Sequence, residues 1–155
     1  MGPATLLDNY ENGSQLLRKA IAGMSQEQLV ARPISGKWST LEVVCHLADF
    51  EIVYADRIKR VISENEPTLF GGDPDLFAAR LAYHQRNAEE EVQFTELIRR
   101  QVARILRTLK EDDFQRRGIH SEAGPLTLET LLQRVTGHIP HHVRFIEEKR
   151  GALGP

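Results

Sequence analysis

A chain of 155 residues with a formal net charge of −2, its charges of both signs interspersed, lacks the basic stripe of a nucleic-acid groove or an anionic-membrane surface. The composition, 41% hydrophobic and 27% charged, is that of one globular domain over residues 1–155, and no apolar run approaches the roughly 18 residues needed to cross a bilayer. Met1-Gly-Pro-Ala-Thr5 has neither the basic start nor the apolar stretch of a secretory signal, and a single cysteine, Cys45, excludes an intrachain disulfide, so a cytoplasmic location is expected.

Taken in chain order, nearly every periodic segment reads as helix. The first spans about residues 4–22, with Leu6, Leu7, Leu16, Leu17 and Ile21 on its inner side. Ser25-Gln-Glu-Gln28 is a capping box that opens one short turn, stopped before Pro33, and 33–37 is a loop. Ser39-Thr-Leu-Glu42 is a second capping box. Behind it Leu41, Val44, Ala48, Ile52, Ala55 and Ile62 recur at helical spacing to about Glu64. Trp38, just before the cap, has the position of a hydrophobic staple.

Glu66-Pro67 ends this helix, and Gly71-Gly-Asp-Pro74 is a loop. A short helix from Pro74 to His84 leads into a long one, Ala88 to Lys110, striped by Phe94, Ile98, Val102, Ile105 and Leu109. The stretch from Asp112 to Pro125 reads as irregular, with Gly118, Gly124 and Pro125 as breakers, and Thr127 caps a last helix to about Arg150. Strand signals are absent: nothing alternates for long, and Asn12-Gly13 lies inside a helical pattern. The expected fold is all-α, a four-helix bundle whose connecting loops, roughly 10–15 residues each, are longer than up-down topology requires. Such loops are candidates for covering a site at one end of the bundle.

The last helix carries the chemistry. His138 and His142 are four residues apart, which puts their imidazoles about 40° apart on one face, a spacing at which two neutral rings can grip one ion. His142 falls within the apolar stripe of Leu131, Leu132, Val135, Ile139, Val143 and Ile146, and His138 lies at its flank. Core histidines bonded to carboxylates are the competing reading of that spacing. His141 turns about 100° away from His142 and is not expected to be a ligand. Pro140 cannot donate to the Thr136 carbonyl, so a bend is expected between the histidines.

A third ligand has to come from His46, His84, His120 or a carboxylate. His120 sits in a glycine-flanked loop and reads as solvated; His84 ends a short helix and reads as exposed. His46 is better placed, in a long helix, although the wheel sets it between the apolar face and a polar arc of Glu42, Asp49, Asp56 and Arg60. Asp49, one turn beyond His46, is the candidate catalytic carboxylate, able to orient that ring or a bound water, or else simply solvated. Glu51 lies on another side and is expected in an ion pair. Cys45 is rotated about 100° from His46 and reads as a small core residue.

Gly36-Lys-Trp-Ser-Thr-Leu-Glu-Val-Val-Cys-His-Leu-Ala-Asp-Phe-Glu51, continued by Arg57 and answered near the other end by His138-Ile-Pro-His-His142, resembles the DinB-like superfamily, particularly its YfiT-like branch. The resemblance covers essentially the whole chain. It implies a four-helix bundle, often a homodimer, in which three histidines hold one divalent ion, zinc or nickel most often. The matching positions are His46, His138 and His142. It also implies activities that include transfer to or from low-molecular-weight thiols and metal-dependent hydrolysis, so the expected partners are a small-molecule substrate or a thiol.

Three neutral imidazoles would leave the ion's charge uncompensated and a coordination position open, the catalytic rather than the closed structural pattern. Ligand type alone admits manganese or iron as well. The alternative is a non-catalytic bundle whose ion is structural and which serves as a binding or dimerisation module.

Overall fold

Both serine capping boxes form and set where the second and third helices begin. Ser25 accepts from the Gln28 N–H at 3.2 Å while the Gln28 side chain takes the Ser25 N–H at 2.9 Å. Ser39 and Glu42 make the same exchange at 3.1 and 2.7 Å. A computed structural model describes residues 3–154. Its helices are α1 (Pro3–Ile21), α2 (Gln26–Val30), α3 (Thr40–Ser63), α4 (Pro74–Arg80), α5 (Ala88–Leu106) and α6 (Leu128–Leu153). No described helix is long and apolar enough to cross a membrane.

The four long helices form the bundle. α1 packs against α5 and α6, and α3 packs against the same two, so α1 and α3 face each other across the bundle diagonal. Two of the three successive steps, α1 to α3 and α5 to α6, therefore cross the bundle diagonal, whereas α3 and α5 are neighbours. A diagonal crossing cannot be made by a tight turn, which is the physical reason for the long linkers at those two steps.

The core falls into two parts. One gathers Leu7, Tyr10, Ile58, Val102, Leu106 and Leu131; the other gathers Leu17, Leu41, Val44, Leu47, Val92, Ile139 and Ile146. Between them lies a charged layer. Arg99 of α5 and Glu51 of α3, both wholly buried, pair through Arg99 Nε and Nη2 on one carboxylate oxygen at 3.0 and 2.9 Å. The same guanidinium donates to the Tyr10 carbonyl of α1 and the Val135 carbonyl of α6, each at 2.9 Å, and lies over the Tyr10 ring. One side chain therefore bonds to all three other helices of the bundle. Burial raises the Glu51 pKa, against the opposing pull of Arg99 and Tyr10. Gly13 makes room for this layer: a Cβ there would stand 2.5 Å from Arg99 Nη1.

The reading of 112–125 as irregular needs correction. Three short strands, β1 (Thr68–Leu69), β2 (Arg117–His120) and β3 (Gly124–Thr127), form a small sheet in the order β1-β2-β3. β1 and β2 run parallel, with Thr68 opposite Ile119; β2 and β3 run antiparallel, with Gly118 opposite Leu126. β2 does alternate exposed and buried residues, but over four positions, too few to stand out from helix. Gly118 is no breaker. A Cβ on it would meet Leu69 at 2.8 Å and the Pro67 carbonyl at 3.0 Å, so glycine lets the first strand lie close. Pro125 sits on the outer strand of the three, where its missing N–H costs little.

Two helix ends also differ from expectation. α4 stops at Arg80, and Ala82 takes a left-handed conformation (φ 52°) before a 3₁₀ turn over Tyr83–Gln85. α5 ends at Leu106 rather than Lys110, and a 3₁₀ turn over Glu111–Gln115 follows. α6 runs through Pro140 without interruption of its helical assignment.

Candidate metal centre

α3 supplies His46 and α6 supplies His138 and His142, at the end of the bundle covered by α2, α4 and the linkers around them. Those coverings change the character of α3. Every residue from Thr40 to Asp49 is buried, including Glu42 and Asp49, so the part of the polar arc beside His46 does not face water, while Asp56 and Arg60 further along it do. Glu42 instead accepts from Arg32 across the linker as well as from the Ser39 N–H.

His46 Nε2 and His138 Nε2 stand 3.0 Å apart, and one ligand atom from each of His46, His138 and His142 lies within 4.8 Å of the others. The rings meet edge to face, with centroids 4.7–4.9 Å apart. A tetrahedral ion with metal–nitrogen distances near 2.0–2.1 Å spaces its donors about 3.3 Å apart, so small rotations of these rings complete the set.

Burial lowers all three imidazole pKa values: to about 4 for His46, about 4 for His142, and about 3 for His138, which also feels the other two rings. At neutral pH the three are uncharged and present lone pairs rather than N–H⁺ groups. Two facing Nε2 atoms can share only one proton, and a third imidazole beside them adds another acceptor. Converging acceptors with few donors suit a cation.

Packing, not hydrogen bonding, sets the ring positions. The Nδ1 atoms of His46 and His138 are buried without a partner among the described residues. Trp38 and Phe50 flank His46 at 5.2 and 4.7 Å between centroids, Phe50 and Tyr54 approach His138 at 6.3 Å each, and Phe145 lies 5.6 Å from His142. Trp38, expected as a staple, does pack into the core around Leu41, and it also stands over His46.

The other candidates separate clearly. His141 is exposed and meets Phe145 edge to face, outside the cluster. His84 is exposed, as expected. His120, expected to be solvated, is buried on β2, and its Nδ1 accepts from the Glu122 and Ala123 N–H groups at 3.2 Å each, closing the turn after the strand. Asp49 gives both oxygens to Arg86 at 2.9 and 2.8 Å, and Arg86 also holds Glu91. Asp49 therefore reaches His46 through charge alone, opposing the effect of burial. Cys45 is a core residue whose thiol donates to the Tyr83 carbonyl, and burial pushes its pKa up to about 12. Arg86 is a site neighbour that no sequence pattern marked, whereas Phe50 and Phe145 stand at helical spacing from His46 and His142.

A cleft of about 450 Å³ opens beside His142, walled by Ile34, Trp38, Val43 and Phe145 and reached by Lys37 and Lys149. A larger hollow of about 600 Å³, on α5 over Phe94, Leu97 and Gln101, has no histidine in its lining and lies away from this chemistry.

Residues 9–146 match the DinB superfamily, and the chain belongs to that family. Its curated relatives include a candidate metal-dependent hydrolase of Geobacillus thermodenitrificans, 30% identical over 142 residues, an alignment covering 89% of this chain and 78% of the relative. YfiT of Bacillus subtilis, described in the same terms, is 25% identical over 139 residues, covering 89% and 78%. The solved structure of Bacillus subtilis YfiT, a four-helix bundle of unusual topology, superposes with a TM-score of 0.92 at 23% identity, covering 99% of this chain and 90% of that one. A mycothiol-dependent maleylpyruvate isomerase shares the fold more distantly, with a TM-score of 0.73 at 11% identity, covering 93% of this chain and 60% of the other.

Proposed function

We propose that His46, His138 and His142 hold one divalent ion, zinc or nickel in preference to manganese or iron, and that the protein is a metal-dependent enzyme acting on a small molecule. The observation that carries this reading is the convergence of three neutral imidazoles from two helices, His46 buried and His138 and His142 half-buried, onto one point. The description of its relatives as candidate metal-dependent hydrolases supports hydrolysis as the reaction class. A second reading, transfer involving a low-molecular-weight thiol, is favoured by the thiol dependence of the more distant structural neighbour.

An ion with three imidazole ligands and an open position would supply Lewis acidity toward a carbonyl or a leaving group, or hold a thiol as thiolate. The chain's own part is to keep the imidazoles neutral by burial and to exclude bulk water with Trp38, Phe50, Tyr54 and Phe145. Asp49, tied to Arg86, adds negative charge behind His46, which makes that ring a better donor to a cation.

Elemental analysis of the purified protein tests the site. One equivalent of divalent metal is expected in the native chain and a large loss in each of His46→Ala, His138→Ala and His142→Ala. Full occupancy in the His46→Ala protein removes that residue from the site. Cobalt substitution then separates an open ion from a structural one: a visible spectrum that responds to azide or 2-mercaptoethanol supports catalysis, and one indifferent to every small ligand supports a structural ion. We further propose a cytoplasmic homodimer, for which exposed Phe94 and Leu97 on α5 offer an apolar surface. Light scattering in solution decides its oligomeric state.

A further inference from the structure

The cleft beside His142 contains a charged group for which the histidine site gives no reason. Lys149 lies seven residues beyond His142, two turns along α6, and lines the same cleft with only 3% of its surface exposed. Lysine is almost never buried to this degree unless it is paired. Among the described residues no carboxylate comes within ion-pair distance of it. Its ammonium makes one hydrogen bond, to the Phe145 carbonyl at 3.2 Å, of the three it can donate, and it sits 5.9 Å from the Phe145 ring centre.

The acidic groups nearest in effect, Glu42 and Glu148, do not neutralise it. Glu42 is committed to Arg32 and the Ser39 N–H, and Glu148 is exposed. Burial disfavours the charged form of the ammonium and outweighs the opposing charges of Glu148 and Glu42, and Lys37 adds to the effect of burial. A buried cation with two donors that no described residue takes up, beside the apolar side chains of Ile34, Trp38 and Phe145, lacks an anionic partner.

We propose that Lys149 is the anion anchor of this cleft, binding a carboxylate whose apolar body lies against Trp38 and Phe145 and whose other end is directed to His142. The ligand class follows from the walls. Ile34, Trp38 and Phe145 take an apolar body of modest size, and Lys149, with exposed Lys37 at the rim, takes a singly charged head. Asp75 and Glu148 also line the cleft, and their charges disfavour a doubly charged phosphate. The part played by His142 rests on the metal reading above; the anchoring role of Lys149 does not.

Trp38 is the chain's only tryptophan and lines the cleft, so its fluorescence reports occupancy without any assay of activity. The probes are 3-phenylpropionate and the uncharged 3-phenylpropan-1-ol, titrated into the protein as isolated and again after chelation. The acid should bind at least tenfold more tightly than the alcohol in both preparations. Lys149→Met keeps the aliphatic stem and should bring that ratio to about one, whereas Lys149→Arg should preserve it.

Equal affinity for acid and alcohol in the native chain overturns the proposal, as does no binding of either, or a preference that survives in Lys149→Met. If Lys149→Met fails to fold by circular dichroism, the native ratio and the Arg variant still decide. A carboxylate preference in a protein that elemental analysis finds free of metal refutes the metal reading alone. Metal at one equivalent with no carboxylate preference refutes the anchor alone.

Discussion

Replacing glycine by alanine inside a helix ordinarily stabilises a protein by about 1 kcal/mol, because alanine loses less backbone freedom on folding. At Gly13 the sign should reverse. The new Cβ would stand 2.5 Å from Arg99 Nη1, and an ordinary contact requires about 1 Å more. Nη1 is the far end of a long side chain, but it is not free to retreat. Three other bonds from the same guanidinium run to Glu51 and the Val135 carbonyl, and Nη1 itself holds the Tyr10 carbonyl at 2.9 Å.

A 1 Å retreat breaks that last bond, one made by a charged donor and worth about 1.5–3 kcal/mol where nothing replaces it. Set against the alanine gain, the net is a loss of about 0.5–2 kcal/mol, or a fall in Tm of roughly 1–8 °C for a chain of this length. Gly137→Ala, at an exposed position of α6 where a Cβ meets nothing within 4 Å, is the control and should raise stability. Urea unfolding of the two variants beside the native chain makes the comparison. Gly13→Ala as stable as Gly137→Ala would refute the claim that the guanidinium is held in place.

Removing one partner of the buried pair should be costlier still: Glu51→Gln leaves Arg99 without its counter-charge, and a loss of about 3–5 kcal/mol is expected in the same assay. His141→Ala should leave metal content at the native level, since its ring stands outside the cluster; a large loss would show that α6 is not regular around Pro140 in solution. In the chelated protein the cluster histidines have folded pKa values depressed to about 3–4, so the unfolded chain, with histidine near 6.5, takes up protons first. The stability contributed by keeping them neutral is therefore complete above pH 6.5 and lost as the pH falls toward 4. The slope of unfolding free energy against pH between 6 and 5 should be about 1.4 kcal/mol per unit shallower in His46→Gln than in the native chain, and equal slopes would count against a buried neutral His46.

Periodicity and capping made most of the bundle readable in advance. Ser25, Ser39 and Thr127 begin helices where their hydroxyls can take the first free N–H groups, and the i, i+4 spacing of His138 and His142 put both rings on the face that turns inward. The environment of His46 was less accessible. A helical wheel ranks faces by the helix's own residues, and Glu42 and Asp49 marked that face as polar. What buries it lies outside the helix: Arg32, on the linker just before it, and Arg86, 37 residues beyond Asp49, neutralise those two carboxylates and let the covering segments close. The sheet escaped notice because its strands are two to four residues long and β1 joins β2 across about 50 residues of sequence. No sequence pattern marks Lys149, and only the fold shows that it is buried.

The Arg99 layer bears on how the ion would come and go. Glu51 is five residues beyond His46 on α3, and Val135 is three residues before His138 on α6, so the guanidinium that joins them fixes the sliding register of those helices beside the three histidines. The spacing of the three imidazoles is inherited from this brace rather than created by coordination. Binding free energy need not then be consumed in assembling the bundle, in contrast to small metal-folded domains that come apart when stripped. An ion could leave and a different one enter while the helices stay docked, so that the occupant is set by which metal the surroundings offer.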